Sequence, residues 1–215
     1  MKISVLVSRD DGQTALRIVH GAFQLDKEPS GAQASPHEVQ RSRNGDATAI
    51  VARLQGMEDL TISDIRLDET QGRVTISGVP DTPGIAAAVF EHVAAAGIFV
   101  DMIVQSYGRG GRANLSFTVP QAAFDKAIAS SKEVAHRLGC GPVSGSARVA
   151  KLSVSGIGMR SHTGVAIRMF KALSEAGINL EMINTSEMRV NVVVDGAAGH
   201  EALKRLQNAF ADVQR

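Results

Sequence analysis

The residues of this chain that best suit ligand chemistry surround Gly84, where a helix is predicted to begin after the loop VPDTPG. The first backbone N–H groups of a helix have no partner within the helix and lie at the positive end of its dipole. The N–H groups of Gly84, Ile85 and Ala86 therefore suit a carboxylate, and glycine lets that group approach the main chain closely. Asp81 either caps this helix or binds an ammonium group, and the sequence leaves both roles open.

A second polar pair follows on the next predicted strand. Asp101 and Gln105 in VDMIVQS are four residues apart, so their side chains share one face of that strand. A carboxylate and an amide in this arrangement can bind an ammonium group and a hydroxyl group. The same spacing is also typical of a solvated or interface-facing strand edge. Met102 falls on the opposite face and is expected to lie in the core.

The stretch that carries these residues occurs twice. GIAAAVFEHVAAAGIFVDMIVQS (84–106) aligns without a gap on GVAIRMFKALSEAGINLEMINTS (164–186). Each copy predicts a strand, a loop, a helix that ends at a left-handed glycine (Gly97 or Gly177) and a second strand. A period near 80 residues suggests two small domains rather than a solenoid.

The remaining periodicities complete two βαββαβ units. The first is predicted over residues 72–148, whereas the second, over 149–212, stops one strand short. The alternating run LTISDIRL within residues 60–68 is the spare strand. We expect it to complete the second sheet, with the turn DETQG after it and the first unit inserted between. The predicted fold class is α+β, a tandem pair of ferredoxin-like domains with antiparallel sheets and helices on one face.

The predicted strands include residues 98–106, 143–148 and 151–157, and the last two are expected to be separate strands of different units. The second copy predicts a matching strand over 179–185.

The first residues of the chain repeat only half of a unit. Residues 1–23 align without a gap on residues 188–210, so 1–24 are predicted to be a partial module of one strand and one helix. Half a module cannot bury its own apolar face. The sequence therefore looks cut from a longer chain, or begins at an internal start. Residues 25–56 are polar and contain proline and glycine, which predicts a flexible linker.

Composition excludes several classes of protein. The chain has 215 residues, is 44% hydrophobic and carries a net charge of +1, which does not favour nucleic acid or an anionic membrane as a partner. No apolar run approaches the roughly 20 residues of a membrane span. The single cysteine, Cys140, excludes an intrachain disulfide framework and fits a cytoplasmic protein.

The sequence contains no motif that is typical of catalysis or metal binding. The sequence shows no nucleophile–base set, no metal-ligand spacing and no cofactor motif, so no catalytic residue, metal or cofactor is predicted. The glycine-rich run GRGGR (108–112) connects two predicted strands and is interpreted as a hairpin tip rather than a phosphate cradle.

Four motifs carry a resemblance to a known family. VPDTPGIAA, VDMIVQS, GMRSHTGVA and NLEMINTSEMRVNVVV, in this order, resemble the regulatory region of aspartate kinases, which is built from paired ACT domains. The resemblance runs from Met57 to the C-terminus, and residues 1–24 resemble the end of a preceding ACT pair. It implies an allosteric module that binds lysine and/or threonine, a homodimer, and an aspartate kinase catalytic domain or subunit as partner. Nothing in the chain resembles that catalytic domain, so we expect no catalysis by the chain alone.

The resemblance also implies effector-binding residues in both copies. Thr163 replaces the proline that the family usually has before the glycine, whereas Pro83 keeps it, so the second loop is expected to be freer before ligand binds. The implied residues are Asp81, Gly84, Ile85, Ala86, Asp101 and Gln105 in the first copy, and Met159, Ser161, His162, Asn179, Leu180, Ser186 and Glu187 in the second.

Other functions remain open at this point. The chain is alternatively a stand-alone ACT sensor that regulates another enzyme, or a catalytic polypeptide, although its length is taken up by ACT units and a linker. A third alternative is an RRM-like nucleic-acid-binding module, since RRM domains share the βαββαβ order. RRM strands need stacking aromatic residues, whereas the strands here carry Met, Val, Ile and Asp.

Overall fold

The structure is a computed structural model that describes residues 5, 7–25, 61–106, 109–157, 164–186 and 188–214. The chain divides into two compact parts, residues 1–50 and 51–215, which are described separately. The predicted linker lies almost wholly outside the described residues.

The N-terminal part contributes one described helix, α1 (Gly12–Ala22), and none of its residues is buried. Val7 and Phe23 are 47% and 66% exposed, whereas their counterparts in the repeat, Val194 and Phe210, are fully buried. The helix predicted for this half-module is thus present. Most of the predicted strand before it lies outside the described residues.

The C-terminal part contains six strands and four α-helices in the ranges that the structure describes. Its elements in chain order are β1 (Thr61–Pro80), α2 (Ile85–Ala95), β2 (Ile103–Ser106), β3 (Arg112–Pro120), α3 (Phe124–Arg137), β4 (Val143–Ile157), α4 (Gly164–Glu175), β5 (Met182–Thr185), β6 (Arg189–Asp195) and α5 (Gly199–Ala209).

The six strands form one sheet in the order β2-β3-β1-β4-β6-β5, and their pairings are antiparallel. The predicted α+β pair of ferredoxin-like units with antiparallel strands is confirmed. The sheets of the two units are joined into one, because β1 and β4 are long enough to belong to both units. The second half of β1 pairs with β3, and the second half of β4 pairs with β6. Each unit thus has a half-sheet of four strands. The long strands β1 and β4 contribute to both half-sheets.

The spare strand lies where the sequence predicted it. Thr61 pairs with Ile157 and Asp68 pairs with Lys151, so the first half of β1 lies beside β4 in the second unit. Leu60 lies outside the described residues. The exact domain boundaries, 72–148 and 60–68 with 149–212, stay a prediction.

The turn predicted at DETQG is a strand irregularity instead. The carboxylate of Asp68 accepts hydrogen bonds from the backbone N–H and the hydroxyl of Thr70, at 2.9 and 2.6 Å. This local bonding is typical of turns. Here the backbone remains extended, and the register against β4 shifts between Asp68 and Gln71 and again before Arg73. Because β1 stays paired throughout, β4 also runs as one strand across the predicted break at residues 149–150.

Helix ends follow the prediction more closely than strand ends. Gly97 and Gly177 adopt φ angles of 69° and 68°, and the N–H of the next residue, Ile98 or Ile178, bonds back to the last helical turn. After each glycine, only a short strand forms. Residues 98–102 and 179–181 are not part of β2 or β5, although Asp101 bonds to Thr118 and Glu181 bonds to Val193.

Each unit has its own apolar core between its helices and its half-sheet. Phe117 and Val93 are fully buried in the first core, and Phe210 and Met169 in the second. A third cluster joins the two units on the other side of the sheet, and its buried members are Met102, Val149, Met182 and Val193. Met102 and its counterpart are therefore buried as predicted. No helix within the described ranges is long and apolar enough to cross a membrane.

Candidate functional site

The helix start predicted at Gly84 is present, and residues 81–84 in front of the helix are exposed. Gly84 precedes α2 with a φ of 89°, a left-handed conformation that suits glycine. A Cβ atom built at Gly84 would meet no atom within 4 Å, so nothing in the described residues covers this point. The N–H of Ile85 bonds to the carbonyl of Thr82 at 3.3 Å. Ile85 and Ala86 are half-buried, and Asp81 is exposed.

Gln105 lies at the same end of the first unit as this helix start. Gln105 and Ser106 end β2 and pair with Leu115 and Asn114 of β3. The side-chain oxygen of Asn114 accepts the N–H of Gly78, near the end of β1 and just before the loop that leads to Gly84. The structure therefore places the polar end of β2 on the loop side of the unit.

Asp101 lies at the opposite end of the same half-sheet. Its N–H donates to the carbonyl of Thr118, which pairs with Arg73 near the middle of β1. The carboxylate of Asp101 contacts the ammonium group of Lys151, in the second unit. Asp101 is thus separated from Gly84 by most of the length of a strand.

The second copy is only partly described. Met159, Ser161, His162 and Glu187 lie outside the described residues. Ser186 is half-buried, and both its N–H and its hydroxyl donate to the carbonyl of Arg189, at 2.7 and 3.3 Å.

Asn179 and Leu180 lie far from Ser186, beyond the other end of β5. They line a surface groove with Phe170, Ser174 and Ile178. The structure therefore separates the predicted residues of the second copy into two groups, as it does in the first copy.

Sequence reasoning missed two basic residues. The guanidinium of Arg73 lies 2.8 Å from the carboxylate of Glu181, and Lys151 contacts Asp101. Arg73 and Lys151 precede the matching runs VTISGV and LSVSGI by one residue, so they occupy equivalent positions. A basic residue directly before the runs VTISGV and LSVSGI, and an acidic residue directly before Met102 and Met182, recur in both copies, so the sequence contained this signal.

Three ionisable groups of the described residues have shifted pKa values. The hydrogen bond from Arg168 lowers the pKa of Asp212. Burial raises the pKa of Asp68, but hydrogen bonds from Thr70 and the charge of Lys151 outweigh it, so the pKa lies below its usual range. Burial raises the pKa of the Cys140 thiol more than the charge of Arg112 lowers it. Cys140 therefore remains a protonated thiol at neutral pH, packed against the first core.

Comparisons with known proteins agree with this architecture. A model of the ACT domain family matches residues 74–133 and 152–210. The aspartate kinase of Pseudomonas fluorescens is 40% identical over 156 residues, which is 73% of this chain but 38% of that protein. The chain thus spans well under half the length of this relative.

Some of the matching solved structures are covered along almost their whole length. The regulatory subunit of aspartate kinase from Thermus flavus is 34% identical with a TM-score of 0.66, and the match covers 70% of this chain and 99% of that one. A chain from the aspartokinase alpha and beta subunits is 39% identical with a TM-score of 0.65, at the same coverage. This chain therefore belongs to the aspartate kinase regulatory regions with tandem ACT domains.

Proposed function

We propose that this regulatory region senses lysine and/or threonine and changes the activity of an aspartate kinase catalytic domain or subunit. The observation that carries the proposal is the exposed helix start at Gly84, which lies at the same end of the first unit as the exposed amide of Gln105. The helix start suits the α-carboxylate of an amino acid. Asp81 and Gln105 then supply oxygen acceptors for its ammonium or hydroxyl group.

The catalytic partner is proposed from two observations. The ACT family model matches residues 74–133 and 152–210, and one matching structure contains both an alpha and a beta subunit of aspartokinase. A regulatory chain of this kind acts on a kinase domain by binding its effector more tightly in one arrangement of the assembly than in another.

A homodimer is proposed to complete the effector sites. Strands β2 and β5 are the outermost strands of the sheet, and each exposes an isoleucine, Ile103 or Ile183, at 44% and 41%. Exposed edges with apolar residues favour pairing with another chain.

Calorimetric titration with threonine, lysine and glutamate as control tests the proposal. We expect threonine or lysine to bind with a dissociation constant in the micromolar to millimolar range, and glutamate not to bind. Sedimentation at micromolar concentration should show a dimer. Heat changes that are the same for all three amino acids would refute amino-acid sensing, and a monomer with bound ligand would refute only the shared site.

A further inference from the structure

The two ACT units exchange ion pairs in a crossed pattern. Arg73 of the first unit binds Glu181 of the second, and Lys151 of the second unit binds Asp101 of the first. The two basic residues occupy equivalent repeat positions, and so do the two acidic residues, which are 80 positions apart. The two contacts are therefore related by the internal symmetry of the chain.

These pairs are partly withdrawn from solvent. The side chains of Arg73, Glu181 and Lys151 are 22%, 23% and 18% exposed, whereas that of Asp101 is 36% exposed. The ammonium group of Lys151 also lies 3.4 Å from the carboxylate of Asp68. Partly buried pairs are screened less by salt than the surface pairs that contribute little to stability.

An apolar cluster links the same two strand ends. Met102 and Met182 directly follow the acidic residues, and both pack with Val149 and Val193. The Cα atoms of β2 and β5 approach within 8 Å of each other, although these strands are the two ends of the sheet order. The sheet is therefore bent along the β1–β4 pair until its outermost strands meet.

Each paired acid is connected by a short strand to a candidate effector group. Asp101 precedes β2, which ends at Gln105 and Ser106, and Glu181 precedes β5, which is followed by Ser186. A strand of this length spans about 13 Å from the acid to the polar end. A displacement at the polar end of β2 or β5 thus has only a few residues to pass before it reaches the paired acid.

We propose that the crossed ion pairs and the methionine cluster form a joint that couples the ligand site of one ACT unit to the other unit. The inference rests on the proposed amino-acid sensing. The joint holds β2 and β5 in one relative arrangement, and effector binding at the outer end of β2 favours that arrangement. Coupling between sites is reciprocal, so loosening the joint must change the affinity for the effector.

The first test measures affinity at a distance from the mutation. Lys151→Met and Asp101→Asn are each expected to weaken threonine or lysine binding three- to tenfold, whichever of the two the parent chain binds. The double variant should bind no more weakly than the weaker single variant, because both changes break one contact. Lys151→Arg should retain at least half of the parent affinity. Lys171→Met is the matched control, since Lys171 is 74% exposed and pairs only within its helix, with Glu175.

The second test needs no ligand. Hydrogen exchange of the amides in Met182–Thr185 is compared between the parent and Asp101→Asn, both checked for folding by circular dichroism. The joint predicts at least threefold faster exchange in β5, although the mutation lies in the other unit.

The outcomes separate the two proposals. If neither amino acid binds the parent chain, the proposal of amino-acid sensing is refuted, and the proposal of a joint is then tested by hydrogen exchange alone. If Lys151→Met binds as tightly as the parent, or if faster exchange is confined to the first unit, the joint is refuted.

Discussion

Asp101 and Gln105 lie four residues apart on one edge of the sheet, in different surroundings. Asp101 binds Lys151 across the two ACT units, whereas Gln105 is exposed at the loop end of the first unit. Their shared strand face suggested one binding pair, but the register with β3 places them at opposite ends of the half-sheet. The two residues therefore call for separate tests.

Gln105→Ala is expected to weaken effector binding about tenfold or more. A hydrogen bond to a charged group contributes roughly 1.5–3 kcal/mol, which corresponds to one to two decades in affinity. Because Gln105 is exposed in the ligand-free chain, the thermal midpoint should remain within about 1 °C of the parent. Calorimetry and thermal unfolding measure the two quantities.

The matched control for this change is Gln207→Ala. Gln207 is an exposed glutamine on α5, in the other unit. It should leave both affinity and midpoint unchanged. Equal effector affinity in Gln105→Ala and the parent would show that Gln105 is only a polar edge residue.

Gly156→Ala is expected to destabilise the C-terminal part by about 2–3 kcal/mol. A Cβ atom at Gly156 would lie 2.3 Å from the carbonyl oxygen of Thr61, within the paired strands β1 and β4. The backbone must shift to relieve this contact, which loosens the strand that completes the second unit. Urea unfolding measures the loss, and hydrogen exchange should rise first in the first half of β1.

Gly164→Ala provides the comparison for that variant. A Cβ atom at Gly164 would meet no atom within 4 Å, at the start of α4. Its stability should equal or exceed that of the parent, since alanine favours helix more than glycine does. If Gly156→Ala is as stable as Gly164→Ala, the close pairing of β1 with β4 is wrong.

Sequence periodicity predicted the helices and the strand partners well because both depend on local patterns. The glycines that end α2 and α4 are left-handed as expected, and Thr61–Leu67 pairs in the second unit. Strand continuity could not be predicted at Asp68, because its side-chain bonds to Thr70 are the same in a turn and in an irregular strand. Pairing with β4 decides between the two.

The candidate site was predicted in part for a related reason. Gly84 and Gln105 lie at the same end of one unit because the order of strand, helix and strand places them there. The ion pairs of Arg73 and Lys151 depend instead on how the two units bend towards each other. That bend depends on β1 and β4, which extend through both units. The sequence of either copy by itself does not indicate that these strands are so long.

Ser131→Ala is expected to stabilise the first unit by about 1 kcal/mol. Ser131 is fully buried on α3, and its hydroxyl has no hydrogen-bond partner in the described residues. Removing a buried hydroxyl without a partner removes its desolvation cost, and alanine also favours helix. Chemical denaturation measures the gain. Ser174→Ala on α4 is the control for helix preference, because Ser174 is exposed.

The gain should therefore be larger in Ser131→Ala than in Ser174→Ala. A loss of stability in Ser131→Ala would show that the hydroxyl is satisfied in solution, for instance by a buried water.

Asp68 should stabilise the fold at neutral pH and cease to do so in acid. Its folded-state pKa lies below the usual value near 3.9, because hydrogen bonds from Thr70 and the charge of Lys151 outweigh the effect of burial. A lowered folded-state pKa means that the ionised form stabilises the protein above the unfolded-state pKa. This contribution is lost as the pH falls through the folded-state pKa.

Asp68→Asn should accordingly lower the free energy of unfolding at pH 7 by up to about 1 kcal/mol. The difference from the parent should be constant above the unfolded-state pKa, shrink as the pH falls below it, and disappear once the pH has fallen through the lowered folded-state pKa. Urea titrations at five pH values measure it, with Asp10→Asn in the separate N-terminal part as the control for loss of one negative charge. A difference that grows on acidification would mean that burial dominates at Asp68 and that Lys151 does not hold its carboxylate ionised.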